Sequence, residues 1–405
     1  MARFTYSAEK RDGEIYKGVA EARDRFELYE VVRREGGKLV SLAEDNSQSM
    51  LSLRYWNVML ASVSEYDKVT LARNLGAMLS AGLSLARALT VISRQTKNLK
   101  LQDVLAEIES SVRRGDTLHD ALKKFPKVFP PLFVAMIRAG EQSGDLAAAL
   151  TLVADQMERM HNLKKKIRGA MMYPCIVLIA MIGIGALMMV SVVPTLSQTF
   201  REMNAELPAA TKAIMGVSDF LVGNTQLALI LALAFVSLSY LALKTKIGMR
   251  TSDFVFIKMP IVGPLVCEVN AARTARTMSS LLTAGVDVLT ALDITGQVVQ
   301  NSYFREVITD AQKKVGAGEP LSQSFIRRED LYPPFVGEMI AVGEETGQTS
   351  EMLKRLAIYY ENEVDDKTKD MSTIIEPFLM LFIGGGVGFF AMAMIAPIYS
   401  LSENI

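Results

Sequence analysis

Arg73-Asn74-Leu75-Gly76-Ala77-Met78-Leu79-Ser80-Ala81-Gly82 is the stretch that decides the fold, because it occurs a second time as Arg276-Thr277-Met278-Ser279-Ser280-Leu281-Leu282-Thr283-Ala284-Gly285. The offset is 203 residues (276 − 73), and Pro377 follows Pro174 by the same 203 (377 − 174). The segment from Arg73 to Pro174 therefore aligns with that from Arg276 to Pro377 without a gap. Gly115, Leu118 and Pro130-Pro131 return as Gly318, Leu321 and Pro333-Pro334. Met136-Ile137 with Gly140-Glu141 and Gly144 returns as Met339-Ile340 with Gly343-Glu344 and Gly347. A period this long marks a duplicated domain, since solenoid units run about 20–50 residues.

Inside each copy the pattern is helical. Ser64-Glu65-Tyr66-Asp67 has the form of a capping box. It is followed by Val69, Ala72, Leu75-Gly76 and Leu79 on one helical stripe. Further helices are predicted over Leu85 to Ile92, Leu99 to Val112 and Leu118 to Phe125, and after Pro130-Pro131, where proline in a first turn loses no hydrogen bond. A long helix then starts at Leu146, with Asp145 as its cap. Each copy reads as a bundle of about six helices with short connections.

Three apolar runs, 171–195, 221–243 and 374–398, are long enough at about 1.5 Å per residue to cross a hydrocarbon layer of about 30 Å. The first and third obey the 203-residue shift, and the middle one has no counterpart. It returns the chain so that both bundles lie on one side. Lys164-Lys165-Lys166 and Arg168 precede the first run, Lys244, Lys246 and Arg250 follow the second, and Lys367 and Lys369 precede the third. By the positive-inside rule the bundles and N-terminus face the cytoplasm, while the loop 196–220 and the C-terminus face outside.

The expected fold class is thus mainly α: a polytopic membrane protein with three transmembrane helices and two homologous cytoplasmic six-helix bundles, 64–170 and 264–373. A small α+β module, 1–45, precedes them, joined by a linker, 46–63. In the module, β-forming Phe4–Ala8 and Ile15–Ala20 flank Asp12-Gly13 as a hairpin. A short helix around Phe26 to Val32 and a third strand over Lys38–Leu42 follow.

Composition excludes several function classes. The chain has 405 residues, 50% hydrophobic and 22% charged, with zero formal net charge, and its mean hydropathy is +0.22. Neutrality gives no case for nucleic acid, which needs a basic surface. Cys175 and Cys267 stand far apart, with neither a disulfide framework nor zinc spacing. Met1-Ala2-Arg3-Phe4-Thr5-Tyr6 offers no apolar core for a cleavable signal peptide. His119 and His161, the two histidines, have no metal-spaced companions and read as surface helix residues. There is no G-x-x-x-x-G-K-[ST] phosphate loop. No catalytic, cofactor or metal site is expected.

The sharpest motif is Gly140-Glu141-Gln142-Ser143-Gly144, with its partner Gly343-Glu344-Glu345-Thr346-Gly347. Its glycines read as a helix end and turn. Its glutamates lie near a helix C-terminus, where negative charge is unfavourable, so each asks for a salt partner, inside the bundle or on another protein. Arg73 and Arg276 are the internal candidates, since their spacing repeats too. Gly183 and Gly185, and Gly384 and Gly388 in GxxxG form, read as helix-packing positions within spans. Pro174 and Pro377 stand at the bundle–span junctions as bends. The basic run Lys164–Lys166 and the acidic run Glu361, Glu363, Asp365 and Asp366 are solvated helix ends by default. Lipid contact by the lysines, or contact between the runs, are the sharper alternatives.

This chain resembles the type II secretion F family, the PilC-like inner-membrane platform proteins of type II secretion and type IV pilus machines. The resemblance rests on the duplicated bundle, the G-E-x-[ST]-G turn in each copy, and the order bundle–span–span–bundle–span. It runs from about Val63 to Pro397. It implies a non-enzymatic assembly platform in the bacterial inner membrane. The partners it implies are a cytoplasmic hexameric assembly or retraction ATPase, pilins or pseudopilins, other inner-membrane assembly subunits, the lipid bilayer and further copies of the chain. Gly140, Glu141, Gly144, Gly343, Glu344 and Gly347 carry over as family signatures. Gln348-Thr349 departs from Asp145-Leu146 of the first copy. Pilus assembly, protein secretion and DNA uptake are not separated by these residues. A transporter is the rival from another class, but the spans offer little polar beyond Ser191, Ser237 and Ser239. A membrane enzyme, the third choice, has no candidate acid, base or nucleophile.

Overall fold

The structure, a computed structural model, describes residues 2–9, 15–22, 38–44, 62–202, 208–260 and 262–402. It divides into two compact units, one holding Met1–Val63 with Gln95–Val104 and the other Ser64–Arg94 with Leu105–Ile405.

In the first unit, β1 (Ala2–Glu9), β2 (Ile15–Ala22) and β3 (Lys38–Glu44) form an antiparallel sheet in the order β2-β1-β3. The expected hairpin is present, with Phe4 opposite Ala20 and Tyr6 opposite Gly18. The third strand pairs on the other edge of β1, Tyr6 opposite Leu42. The helix expected around Phe26 to Val32, and most of the linker 46–63, lie outside the described residues.

The second unit is helical. The first repeat comprises α1 (Glu65–Ser80), α2 (Leu85–Gln95), α3 (Leu99–Arg113), α4 (Leu118–Lys123), α5 (Pro131–Ser143) and α6 (Leu146–Leu187). Then come α7 (Val193–Glu202), α8 (Ala209–Gly223), α9 (Thr225–Lys244) and α10 (Lys246–Lys258). The second repeat comprises α11 (Val262–Thr283), α12 (Val288–Val298), α13 (Ser302–Gly316), α14 (Ser322–Ile326), α15 (Pro334–Thr346) and α16 (Thr349–Ser402).

Local signals account for these boundaries. Ser64 Oγ accepts the Asp67 amide at 3.1 Å while Asp67 Oδ2 accepts the Ser64 amide at 3.0 Å, a complete capping box. Pro131 and Pro334 open α5 and α15, and Asp145 caps α6 through the Ala148 amide. Of the predicted α1 stripe, Val69, Ala72, Leu75 and Gly76 are buried. They join a core in which Leu71, Leu75, Leu89, Leu105, Phe133 and Leu150 converge. The core of the second repeat holds a cluster of three aromatics. Tyr332 is fully buried edge-on to Phe304 and Phe325, centroids 5.0 and 4.9 Å away. Its hydroxyl pairs with Thr274 Oγ1 at 2.9 Å. A buried phenol needs such a partner, and burial pushes its pKa up.

Among the described residues three helices are long and apolar enough to cross a membrane, and they fall within Leu146–Thr199, Thr225–Lys244 and Thr349–Ala393. Ile179, Phe235 and Leu381 on them are exposed, as helices solvated by hydrocarbon would be. Two of these spans are not separate elements. Helices α6 and α16 run from their bundles into the apolar segments without interruption, passing through Pro174 and Pro377. Beyond α6 the helix loosens into a π turn, Met188–Val192, where the Ser218 hydroxyl donates to the Met189 carbonyl at 2.6 Å.

The stretch 196–220, expected as a loop, is largely helical, covered by α7 and α8. Helix α8 lays Ile214 and Met215 against Val193 and Ala393, and Thr211 Oγ1 donates to the Ala393 carbonyl at 2.5 Å. This helix therefore ties the far ends of the first and third spans together.

Candidate functional site

Each G-E-x-[ST]-G motif is the corner where α5 turns into α6, or α15 into α16. Gly144 and Gly347 end the first helix in the left-handed region, with φ of 78° and 70°, which a side chain disfavours. Gly140 serves a different need. A β-carbon there would stand 2.2 Å from Ala149 Cβ, and one on Gly343 would stand 2.8 Å from Thr349 Cα. The missing side chain is what lets the two helices meet.

The glutamates have internal partners, but not the expected ones. Glu141 Oε1 accepts the Leu118 amide at 2.6 Å and Oε2 the His119 amide at 3.0 Å. Glu344 repeats this on Leu321 and Ser322, at 2.6 and 3.0 Å. Each carboxylate thus caps the short helix α4 or α14 from 23 residues away. It satisfies amides that a helix start leaves unpaired and meets the positive end of the helix. His119, expected at the surface, is half-buried, and its Nδ1–H donates to Glu141 Oε2 at 2.5 Å.

Arg73 and Arg276 pair elsewhere. Arg73 Nη2 reaches Glu158 Oε2 at 2.6 Å and Asp155 Oδ1 at 3.2 Å. Arg276 holds Glu361 with two parallel bonds of 2.7 Å. Both arginines bind the long helix of their own repeat, so the pairing predicted between Arg73 and Glu141 is replaced by a pairing of Arg73 with Glu158.

The basic and acidic runs do meet. Lys166 Nζ lies 2.8 Å from Asp365 Oδ1, bridging α6 and α16. Deeper in the same seam the Ser280 hydroxyl donates to Gln156 Oε1 at 2.8 Å. Where the repeats diverge, a cleft of about 800 Å³ opens between α4 and α5 on one side and the start of α12 on the other. Its walls bring Lys123 and Arg138 opposite Asp287 and Asp293, with His119 from the capped helix start beside them. Asp287 caps α12 through the Thr290 amide at 2.9 Å, and its bonds to Thr290 hold its carboxyl below the ordinary range. The cleft joins a signature turn to the junction of the repeats and presents both signs of charge. The sequence held one trace of it: the charged positions Arg138, Asp287 and Asp293 differ from their counterparts Ala341, Ser84 and Thr90.

The remaining candidates do not come together. Among the described residues nothing lies within 4 Å of where a β-carbon on Gly183, Gly185, Gly384 or Gly388 would sit, so no close helix packing is seen at these positions. No group of three or more histidine, cysteine, aspartate or glutamate side chains able to hold a metal occurs among the described residues. Cys175 is exposed and Cys267 half-buried, both free.

A family model described as type II secretion system (T2SS), protein F, matches residues 71–194 and again 274–397, the same offset of 203 (274 − 71). The chain is 32% identical over 401 residues to "Type IV pilus assembly protein PilC" of Thermus thermophilus, covering 99% of this chain and 98% of the relative. It is 33% identical over 414 residues to a protein of the same name in Myxococcus xanthus, 100% of this chain and 96% of that one. It is also 29% identical over 406 residues to "Type II secretion system protein F" of Pseudomonas aeruginosa, covering both chains completely.

Proposed function

The chain belongs to the type II secretion system protein F family, and from that premise we propose that it is the inner-membrane platform of a type IV pilus machine, without catalytic activity of its own. The same platform in a type II secretion machine is the second reading, favoured by relatives carrying that name at similar coverage. The bundles face the cytoplasm and meet a hexameric ATPase there. Pilins or pseudopilins meet the spans.

One observation carries this reading: the last helix of each bundle is the span itself. Helices α6 and α16 hold 42 and 54 residues. A displacement at the cytoplasmic end is therefore delivered to the bilayer along a rigid rod, at about 1.5 Å of length per residue. Pro174 and Pro377, each lacking one backbone donor inside its helix, are the points where such a rod would flex. The bundle corners, pinned by Gly140, Glu141 and Gly144 and their counterparts, keep the rod attached to the part that is pushed.

Deleting the gene in its host tests the function. Loss of surface filaments with normal pilin levels, restored by the intact gene, is the expected result; unchanged filaments together with a block in protein export would favour the second reading. ATP hydrolysis by the purified chain alone would overturn the non-enzymatic part. Reporter fusions after Glu202 and after Lys258 are expected to report opposite sides of the membrane.

A further inference from the structure

The two repeats share a fold but not a pattern of exposure. On α5 and α6, Leu132, Ala139 and Gln156 are 7, 9 and 2% exposed, while their counterparts Phe335, Val342 and Tyr359 on α15 and α16 are 41, 46 and 46% exposed. The cause is the neighbouring repeat: α5 packs on α11 and α12, and α6 on α11 and α16. The covering surface shows the reverse asymmetry. Thr277, Ser280 and Leu281 on α11 are buried, while their counterparts Asn74 and Ala77 are exposed and Met78 is half-buried. One face of the first repeat thus sits on a different face of the second. The contact is head-to-tail, and each repeat leaves one of its two faces open.

The open face of the second repeat is more apolar than the covered one it corresponds to. The covered Leu132, Ala139 and Gln156 are replaced by Phe335, Val342 and Tyr359, and beside them the exposed Asp155 is replaced by Ile358. All four replacements lie exposed, and Phe335 and Tyr359 stack edge-on at 5.3 Å. Larger apolar side chains at positions that solvent reaches mark a surface that is covered in use.

We propose that this face, Phe335, Val342, Ile358 and Tyr359, takes a second copy of the chain, which docks through the open face of its own first repeat at Asn74, Ala77 and Met78. The contact inside each chain is the template. At its centre Gln156 bonds Ser280; at the junction between copies the corresponding residues are Tyr359 and Ala77, a large apolar side chain against a small one, so neither polar partner is left unpaired. The internal contact sets α6 beside α16, both running on into spans. Repeating it sets the next copy's α6 beside this α16 with every span in one bilayer. A head-to-tail contact of this kind builds a ring where the rotation closes and an open row where it does not.

Cysteine crosslinking in membranes holding the full-length chain tests this. In a background with Cys175→Ser and Cys267→Ser, the pair Ala77→Cys and Tyr359→Cys is expected to give a ladder of disulfide-linked dimers and higher multiples on oxidation. Either cysteine alone is expected to give none. Gln156→Cys with Ser280→Cys closes within one chain and reports the template contact. Linked dimers from Tyr359→Cys alone at the yield of the pair would mean a two-fold contact and overturn the proposal, as would the absence of a ladder. Tyr359→Asp changes a residue already on the surface of one copy, and is expected to reduce the detergent-solubilised particle to the mass of a single chain. An unchanged mass overturns the proposal independently.

Discussion

Glu141 accepts the backbone amide of Leu118 at 2.6 Å, and Glu344 accepts that of Leu321 at the same distance. In both repeats the signature glutamate is a cap supplied from another helix. Replacing Glu141 with Ala is expected to cost about 1–3 kcal/mol by leaving two half-buried amides unpaired. Faster hydrogen exchange at Leu118 and His119, with Leu321 and Ser322 unchanged, is the accompanying readout.

The glycine before it acts by absence. Gly140→Ala puts a methyl 2.2 Å from Ala149 Cβ, and is expected to destabilise the bundle by about 1–3 kcal/mol through overpacking. Ala149→Gly in the same chain is expected to restore most of that. Denaturant melts of the three variants measure it; a double variant no better than Gly140→Ala would place the strain elsewhere.

Equivalent arginines are expected to differ in weight. The Arg276 side chain is 7% exposed and grips Glu361 with two bonds, whereas that of Arg73 is 47% exposed. Arg276→Ala leaves the half-buried Glu361 carboxylate with Arg159 alone, 4.0 Å away, and is expected to cost about 1–3 kcal/mol. Arg73→Ala, in solvent, is expected to change stability little. Thermal melts of the two variants side by side decide it.

Glu109 gives the chain an acid-side weakness. The Thr90 hydroxyl, 2.7 Å away, and then Arg113 hold its carboxyl below the ordinary value. A group whose pKa falls on folding stabilises fully above its unfolded value, about 4.3. That stabilisation drains away as pH drops through the folded value. Thr90→Val is therefore expected to lower stability at neutral pH, with the gap from the parent closing below pH of about 4. Stability measured against pH in both proteins shows whether the curves converge.

Thr274 is the hydroxyl partner of the fully buried Tyr332. Thr274→Val keeps the shape and strands the phenol, at a cost of about 1–3 kcal/mol. Tyr332→Phe in the same chain is expected to recover part of the loss, which a denaturant series on the single and double variants would reveal.

Much of this architecture was legible in the chain. The 203-residue repeat, the capping box at Ser64, the prolines opening α5 and α15 and the three apolar runs are short-range signals, and local backbone physics obeys them. The stretch 196–220 reads as a loop from its place between two apolar runs, while its helix α8 is held by tertiary packing of Ile214 and Met215 on Val193 and Ala393. The partner of Glu141 is not legible in the chain, because like spacing in two repeats shows that a pair is repeated, not which pair it is.

Sequence alone determined that there are two copies of one helical bundle, where most of the bundle helices start, and which segments are apolar enough for lipid. Those properties come from neighbours along the chain and from side-chain chemistry. Only the tertiary structure decided that Glu141 caps α4, that Arg73 binds Glu158, and that Gln156 is buried while Tyr359 is open. Near-identical patterns acquire different surroundings once one repeat lies against the other, and which face is covered depends on a rigid-body contact between surfaces far apart in the sequence.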